Sequence, residues 1–189
     1  MTQSSLKTLS PRQPDATGAA VDFTHVPVLA DEVVACFKDV PSGTVVDCTA
    51  GGGGHSALIL ASRDDLNVVA LDRDPTAVAA ASARLAPFGD RAKVVHAAFS
   101  QFDEILSELK LGRLSGVLAD LGVSSHHLDT AERGFSFRAE GPLDMRMDPS
   151  SGLPLQDRLA GIGERELADV LYHYGDIRAS RRAAAAVLG

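Results

Sequence analysis

Short apolar runs alternate along the chain with longer stretches of helical character. The runs read as four buried strands, at about residues 44–48, 67–71, 93–97 and 116–120. Helices are predicted between them at about 55–62, 75–85 and 102–109, and the third carries Phe102, Ile105, Leu106 and Leu109 along one face. Buried strands that alternate with helices indicate a parallel sheet with right-handed crossovers. The pattern therefore predicts an α/β fold with helices on both faces of a parallel sheet.

The pattern changes on either side of this region. Residues 27–40 carry apolar positions near helical spacing and predict a covering helix. Residues 121–153 mix glycine, proline and alternating charges without a sustained period, which is typical of a long loop that is either functional or disordered. Helical spacing then resumes, with one helix predicted to end at Gly175 and an alanine-rich helix over 178–188.

Composition limits the class of protein. The 189 residues are 45% hydrophobic and 23% charged, enough for one compact core. Residues 1–22, rich in Ser, Thr, Gln and Pro, predict a disordered tail without a secretory signal. No apolar stretch approaches the roughly 20 residues of a membrane helix. Cys36 and Cys48 each lie among apolar residues, which predicts two buried thiols in a reducing compartment, and a cytoplasmic location follows.

The net charge of −7 argues against tight unspecific binding to a phosphate backbone. Two local groups of arginine are positively charged within this negatively charged chain. One comprises Arg178, Arg181 and Arg182, and the other comprises Arg133, Arg138 and Arg146. Either group fits an RNA contact, and either fits a solvated surface with local ion pairs, so the sequence leaves both readings open.

Four consecutive glycines, Gly51 to Gly54, separate the first predicted strand from the first helix. Glycine takes positive φ easily and allows the backbone to approach a ligand closely. The amide donors at the following helix N-terminus would face the same ligand. A tight turn without a ligand explains the glycines as well, so the run alone does not show whether a ligand binds there.

Asp72 ends the second predicted strand, twenty-one residues after Gly51. A carboxylate at this place in a βαβ unit accepts hydrogen bonds from ribose hydroxyls. The alternative role, a helix cap, fits Asp74 better, because Pro75 follows it at the first helical position. Nucleoside binding is therefore expected at this edge. A nicotinamide cofactor is disfavoured, because Ser56 stands where a Gly-x-Gly-x-x-Gly pattern has its last glycine.

Several longer strings occur in order along the chain. They are His25-Val26-Pro27-Val28-Leu29, Asp47-Cys48-Thr49-Ala50 with the glycines and His55-Ser56, Leu71-Asp72-Arg73-Asp74-Pro75, Asp120-Leu121-Gly122-Val123-Ser124-Ser125, and the fifteen residues 134–148 from Gly134 to Asp148. Together they resemble the bacterial 16S rRNA cytosine N4-methyltransferase family, also called the MraW family. The resemblance implies a class I methyltransferase (Rossmann-like) fold. It also implies an enzyme that uses S-adenosyl-L-methionine to methylate the exocyclic N4 of a cytidine in the 16S rRNA of the small ribosomal subunit.

The resemblance also implies the binding residues. Gly53, Gly54 and His55 would approach the methionine part of the cofactor, Asp72 would hold the ribose and Phe99 would lie by the adenine. Asp120 and His127 would complete the pocket, although the family usually has Pro-Gln where this chain has His126-His127. Adjacent histidines without a further ligand at metal-binding spacing do not predict a metal site.

The resemblance divides the chain into residues 23–125 as an incomplete cofactor-binding domain, 126–153 as a substrate or cofactor loop and 154–189 as the beginning of an inserted helical domain. Family members continue beyond this point, so the chain is expected to be truncated, with its fourth strand left as an apolar edge. A non-catalytic remnant that binds cofactor or a partner is the alternative function. The oligomeric state stays open, with a dimer among the options.

For catalysis, the family resemblance assigns no residue. Asp120 is the one carboxylate of the motif after the fourth strand, and a second role for it, as an acceptor near the cytosine amine, is a hypothesis. Phe135 and Phe137 are candidates for contact with an unstacked RNA base, or for closing the loop over its own domain.

Overall fold

The computed structural model describes residues 27–189, apart from the side chain of Ser125. The predicted tail at 1–22 and the start of the string at His25 lie outside the described residues. The sheet has four parallel strands in the order β3-β2-β1-β4. Their bounds are β1 Gly43–Asp47, β2 Leu66–Asp72, β3 Ala92–His96 and β4 Gly116–Leu118. The predicted parallel sheet is confirmed, and its strands lie within two residues of the predicted positions.

The helices of the described residues follow the same order as the prediction. They are α1 Ala30–Cys36, α2 Gly54–Ser62, α3 Pro75–Leu85, α4 Phe102–Glu108, α5 Ser125–Asp129, α6 Leu155–Gly161, α7 Glu164–His173 and α8 Ser180–Leu188. Short 3-10 turns occupy 86–91, 99–101 and 131–133. The stretch 121–153 is therefore less irregular than predicted, because α5 forms within it.

Successive residues of β1 point to opposite faces of the sheet, and both faces are covered. Val45 packs in one hydrophobic cluster with Ile59 and Leu60 of α2 and with Ala81 and Leu85 of α3. On the other face, Val46 packs with Val69, Leu71 and Ile105 of α4. Val45 and Val46 are both fully buried, as expected for a strand of a parallel sheet that is covered on both faces and is therefore apolar at successive positions. The predicted placement of helices on both faces is confirmed.

The β4 side of the sheet is open among the described residues. β4 is three residues long and pairs with β1 alone. Val117, in its centre, is 51% exposed. The expected apolar edge strand is thus present.

Cys36 departs from the sequence prediction. Cys48 is buried as expected, but Cys36 is exposed. The reason is that no residue of α1 is fully buried, since the helix lies over the sheet mainly through Phe37, which follows it. The apolar neighbours of Cys36 in the sequence therefore do not enclose it.

Helices α6, α7 and α8 share a small hydrophobic cluster of their own. Leu167 and Ala168 of α7 are buried against Ala184 of α8, and Leu159 of α6 packs at the side. Such a separate cluster is what the beginning of a helical domain requires. The domain division proposed from the sequence stays a prediction.

Candidate functional site

The glycine turn lies at the carboxyl ends of β1 and β2, where α/β sheets form their ligand crevices. The turn is fixed by backbone hydrogen bonds: Ala50 N donates to Leu71 O at 2.8 Å, and Gly53 N donates to Ala50 O at 2.7 Å. Gly51 and Gly53 have φ values of 51° and 75°, in the left-handed region. This conformation explains why glycine is needed there and brings the N-terminus of α2 to the crevice.

Two adjoining cavities surround the turn. The smaller has a volume of about 300 Å³, and the larger about 760 Å³. They share five lining residues: Thr49, Gly51, Asp120, Val123 and Ser124. We call the pair the cleft, with a small chamber and a large chamber. Of the residues predicted from the resemblance, Gly54 and His55 line the small chamber and Asp72, Phe99 and His127 line the large one, while Asp120 lines both.

Gly53 has a different environment from the other predicted residues. A Cβ at Gly53 would lie 3.1 Å from the backbone Cα of Ala81, so this glycine allows α3 to pack closely against the turn. Gly53 is not among the residues that line either chamber. Packing thus accounts for glycine at this position, and a contact between Gly53 and a cofactor stays a prediction.

Asp72 is held in place by two backbone amides. Its Oδ2 accepts from Gly51 N at 2.8 Å and its Oδ1 accepts from Asp74 N at 2.9 Å. A carboxylate has about four acceptor sites, so each oxygen can still accept a bond from a hydroxyl. The half-buried side chain lines the large chamber and is oriented before any ligand arrives.

His55 and Asp120 face one another across the small chamber. His55 is 8% exposed, and its Nε2 lies 2.8 Å from Val28 O, a carbonyl that can only accept. Nε2 therefore carries a hydrogen, and in the neutral ring Nδ1 is an acceptor. Nδ1 lies 3.9 Å from Asp120 Oδ2, too far for a hydrogen bond. Two acceptors at this separation suit a cationic donor placed between them.

A buried carboxylate at the end of β1 stabilises the turn. Asp47 accepts from Ser56 Oγ at 2.7 Å and from Thr49 N at 3.0 Å, which joins the end of β1 to the first turn of α2. Burial raises the pKa of Asp47, and the hydrogen bonds from Ser56 and Thr49 oppose that rise. Sequence reasoning missed this role, although an acid at the end of a buried strand was a usable signal.

Asp74 caps α3 as predicted, and it also has a role that the sequence did not reveal. Its Oδ1 accepts from Thr76 N at 2.9 Å, while its Oδ2 accepts from His127 Nε2 and from Arg133 Nη1, both at 2.9 Å. Burial acts to raise the pKa of Asp74, but the hydrogen bonds from His127, Thr76 and Arg133 outweigh burial and hold the pKa well below its ordinary value. Arg133 Nη2 also donates to the carbonyls of Arg146 and Met147. We call Asp74, His127 and Arg133 the buried triad.

The hydrogen bonds of His127 assign its tautomer. Ser124 N donates to Nδ1 at 3.1 Å, so Nδ1 is an acceptor and Nε2 carries the hydrogen that Asp74 accepts. Both ring nitrogens are therefore occupied within the protein. His127 lines the large chamber as predicted, but it can offer a ligand only a carbon edge or a ring face.

The phenylalanines of the loop differ sharply in exposure. The half-buried Phe135 ring lies 5.2 Å from the His127 ring, centroid to centroid, so it packs within the loop against the histidine that bonds to Asp74. The Phe137 side chain is fully exposed, beside the exposed Arg138. Arg133 and Arg146 are engaged in local ion pairs, with Asp74 and Asp144 respectively. Of the groups considered for RNA contact in this loop, Phe137 and Arg138 remain available to a partner.

Residues 27–189 contain neither a cluster of metal ligands nor a membrane-spanning helix. Within this range no group of three or more His, Cys, Asp or Glu side chains is placed to hold a metal ion. None of the helices in this range has the length and apolar character needed to cross a bilayer.

Comparison with known proteins places the chain in a family. The model of the MraW methylase family matches residues 22–189. The chain belongs to the MraW methylase family. Its parallel sheet with helices on both faces is the Rossmann-like fold of class I methyltransferases.

Curated relatives have closely similar sequences. The chain is 50% identical over 165 residues to ribosomal RNA small subunit methyltransferase H of Synechococcus sp. (strain CC9902), covering 86% of this chain and 54% of the relative. It is 49% identical over 160 residues to the protein of the same name from Sorangium cellulosum (strain So ce56), covering 85% and 50%. The chain thus spans about half the length of these relatives. A solved rRNA methylase from Streptococcus thermophilus aligns over 39% of this chain and 43% of its own, at 28% identity and a TM-score of 0.32.

Proposed function

We propose that this chain provides the S-adenosyl-L-methionine-binding part of a methyltransferase that acts on N4 of a cytidine in 16S rRNA. The observation that carries the proposal is the two-chambered cleft, with the Asp72 carboxylate in one chamber and the His55 and Asp120 pair in the other. The family and the names of the relatives support methylation of small-subunit rRNA. The position on the base rests on the family resemblance of the sequence.

The cofactor would lie across both chambers. Asp72 would accept hydrogen bonds from the ribose hydroxyls, and the half-exposed Phe99 would cover the adenine in the large chamber. The amino group of the methionine part would donate to His55 Nδ1 and Asp120 Oδ2, because an ammonium has donors and no acceptor. Its carboxylate would face the N-terminus of α2 at Gly54, where unpaired amides favour a negative charge.

Methyl transfer from a sulfonium is an in-line displacement, so the protein chiefly has to align the acceptor nitrogen with the methyl carbon and exclude water. The lone pair of a cytosine amine is delocalised into the ring, and a nearby acceptor would help to localise it. The Asp120 side chain is 48% exposed where the chambers meet, which suits an acceptor reached from outside the cleft. This second role for Asp120 belongs to the proposal.

The acceptor side of the cleft would be completed by further protein. The longer relatives carry about as much sequence again, and β4 has an unpaired edge among the described residues. A target base within folded RNA must be unstacked before it reaches such a cleft. We expect the 189-residue chain to bind cofactor without methylating RNA, and an extended chain that carries the relatives' second half to do both.

The experiment supplies each protein with S-adenosyl-L-methionine labelled in the methyl group and with small ribosomal subunits that lack the modification. The RNA is then digested and the labelled nucleoside is identified by mass spectrometry. The proposal predicts N4-methylated cytidine from the extended chain and none from its Asp72→Ala variant. Label on a ring carbon or a ribose would contradict the assigned acceptor. Rapid methylation by the 189-residue chain alone would contradict the expected need for a second half.

A further inference from the structure

A second groove adjoins the cleft on its outer side. It has a volume of about 480 Å³ and is lined by Arg73, Arg146 and Arg158 together with Asp144 and Asp148. We call it the arginine groove. Arg73 and Met147 line both the arginine groove and the large chamber, so the two spaces are contiguous. Arg73 directly follows Asp72, the carboxylate proposed to hold the ribose.

One arginine of the groove neutralises one of its acids. Arg146 donates to Asp144 through Nε at 2.8 Å and through Nη2 at 2.7 Å, and its Nη1 donates to Gly152 O at 3.2 Å. The hydrogen bond from Arg146 lowers the pKa of Asp144 to about 2. This bidentate pair stiffens the wall of the groove and leaves little net charge there.

The second acid is also engaged. Asp148 Oδ1 accepts from Ser150 N at 2.9 Å and from Ser150 Oγ, and its Oδ2 lies 3.7 Å from His96 Nε2. The hydrogen bonds from Ser150 lower the pKa of Asp148, so it stays ionised. The Asp148 carboxylate therefore contributes one negative charge to the groove, and it is held by hydrogen bonds within its own loop.

Two exposed guanidinium groups keep most of their donors open. The Arg73 guanidinium has no hydrogen bond or ion pair with another residue of the 27–189 range. Within the same range, Arg158 donates through Nε alone, to Leu153 O at 3.3 Å. A guanidinium presents five donors in a planar fork that matches the oxygens of a phosphate. The groove thus combines fixed walls with two guanidinium groups that have donors open to a phosphate, in a protein whose net charge is −7.

We propose that Arg73 and Arg158 bind a backbone phosphate of the RNA, next to the nucleotide whose base enters the cleft. The assignment rests on the proposed function, because it needs a nucleotide acceptor beside the cofactor. A flipped nucleotide stays attached to its neighbours through its phosphates, so a phosphate must lie close to the part of the cleft that receives the base. Asp120, beside which the target amine is proposed to lie, lines the large chamber, and the arginine groove adjoins this chamber through Arg73 and Met147. Phosphate contacts of this kind position a nucleic acid and do not read its sequence.

The test compares the binding of cytidine and cytidine 3′,5′-bisphosphate to the extended chain by calorimetry, with S-adenosylhomocysteine present at saturation. The bisphosphate is expected to bind more tightly than cytidine, and Arg73→Ala and Arg158→Ala are each expected to reduce that advantage by about threefold to tenfold. Arg73→Lys keeps the charge without the planar fork and is expected to give an intermediate loss. Arg113→Ala is the matched control, since Arg113 is exposed and precedes β4 at the opposite edge of the sheet.

Several results would overturn the assignment. One is equal affinity of the wild-type chain for cytidine and the bisphosphate, and another is an advantage that Arg73→Ala and Arg158→Ala leave intact. Inorganic phosphate that competes as well as the bisphosphate would show a free-anion site with no link to RNA. Equal binding of cytidine and uridine bisphosphates would contradict only the proposal that the acceptor is a cytidine. The phosphate assignment would stand, because the bisphosphate would still bind more tightly than the nucleoside. Arg158→Ala is expected to leave the affinity for S-adenosylhomocysteine unchanged, because Arg158 lines the arginine groove and not the cleft, and a loss of that affinity would place Arg158 in the cofactor site.

Discussion

The glycine turn and the loop after β4 both face the cleft, but they are held by different kinds of interaction. The turn is fixed by main-chain bonds, such as the one from Ala50 N to Leu71 O, and by two carboxylates, Asp72 and Asp47, which accept bonds from the chain at the turn. The loop is fixed by side chains, through the bonds of His127 and Arg133 to Asp74. The turn therefore has several independent supports, whereas the loop should depend on a single buried carboxylate.

The largest expected effect follows from removing that carboxylate. Asp74→Ala removes the cap of α3 and leaves Arg133 buried without its ion pair, and we expect the free energy of unfolding to fall by about 3–5 kcal/mol. Urea unfolding measures it. Asp103→Ala is the control, because Asp103 is an exposed acid in the first turn of α4 and should change stability by less than about 0.5 kcal/mol. If the two variants lost similar stability, the buried triad would not hold the loop.

The pH dependence of stability tests the same triad by its charge. The pKa of Asp74 is lowered in the folded protein, so its ionisation stabilises the fold above the unfolded pKa of about 3.9. That contribution is lost as the pH falls through the folded value. The difference in unfolding free energy between the wild type and Asp74→Asn should therefore be largest near pH 5 and shrink toward pH 2. A difference that stays constant over this range would show that Asp74 is not ionised in the fold.

Smaller effects are expected from the two phenylalanines of the loop. Phe135 packs on the His127 ring, so Phe135→Ala should cost about 1 kcal/mol of stability, since aromatic pairs of this kind contribute roughly 0.5–1.5 kcal/mol. Phe137 is fully exposed, and Phe137→Ala should change stability by less than about 0.5 kcal/mol. Thermal unfolding of the two variants measures the loss of stability in each. Equal losses would mean that Phe137 packs against the domain.

The same contrast explains which features the sequence could predict. The strands, the glycine turn and the capping role of Asp74 follow from local patterns, since period, φ preference and Pro75 act within a few residues. The bonds from His127 and Arg133 to Asp74 span 53 and 59 residues, and no local pattern specifies such a pair. The sequence shows the histidine, the arginine and the aspartate, but it does not show that their side chains meet.

Two local features were nevertheless misjudged or missed. Cys36 was predicted to be buried from its apolar neighbours, but no residue of α1 is fully buried and Cys36 is exposed. Helix α5 was missed because it is five residues long, too short for a period to show. Ser124 was its available signal, as a serine N-cap whose side chain bonds to the helix it begins.

Calorimetry with S-adenosylhomocysteine tests the central claim most directly, namely that the cleft binds this cofactor through Asp72. The account predicts one site per chain, no comparable binding of NAD, and a loss of about 1–3 kcal/mol of binding free energy in Asp72→Ala, the range for a hydrogen bond to a charged group. Asp90→Ala should bind like the wild type, because Asp90 is an exposed acid that precedes β3, at the opposite end of the strands from the cleft. Absence of binding by the wild-type chain, or equal affinity of Asp72→Ala and the wild type, would contradict the account.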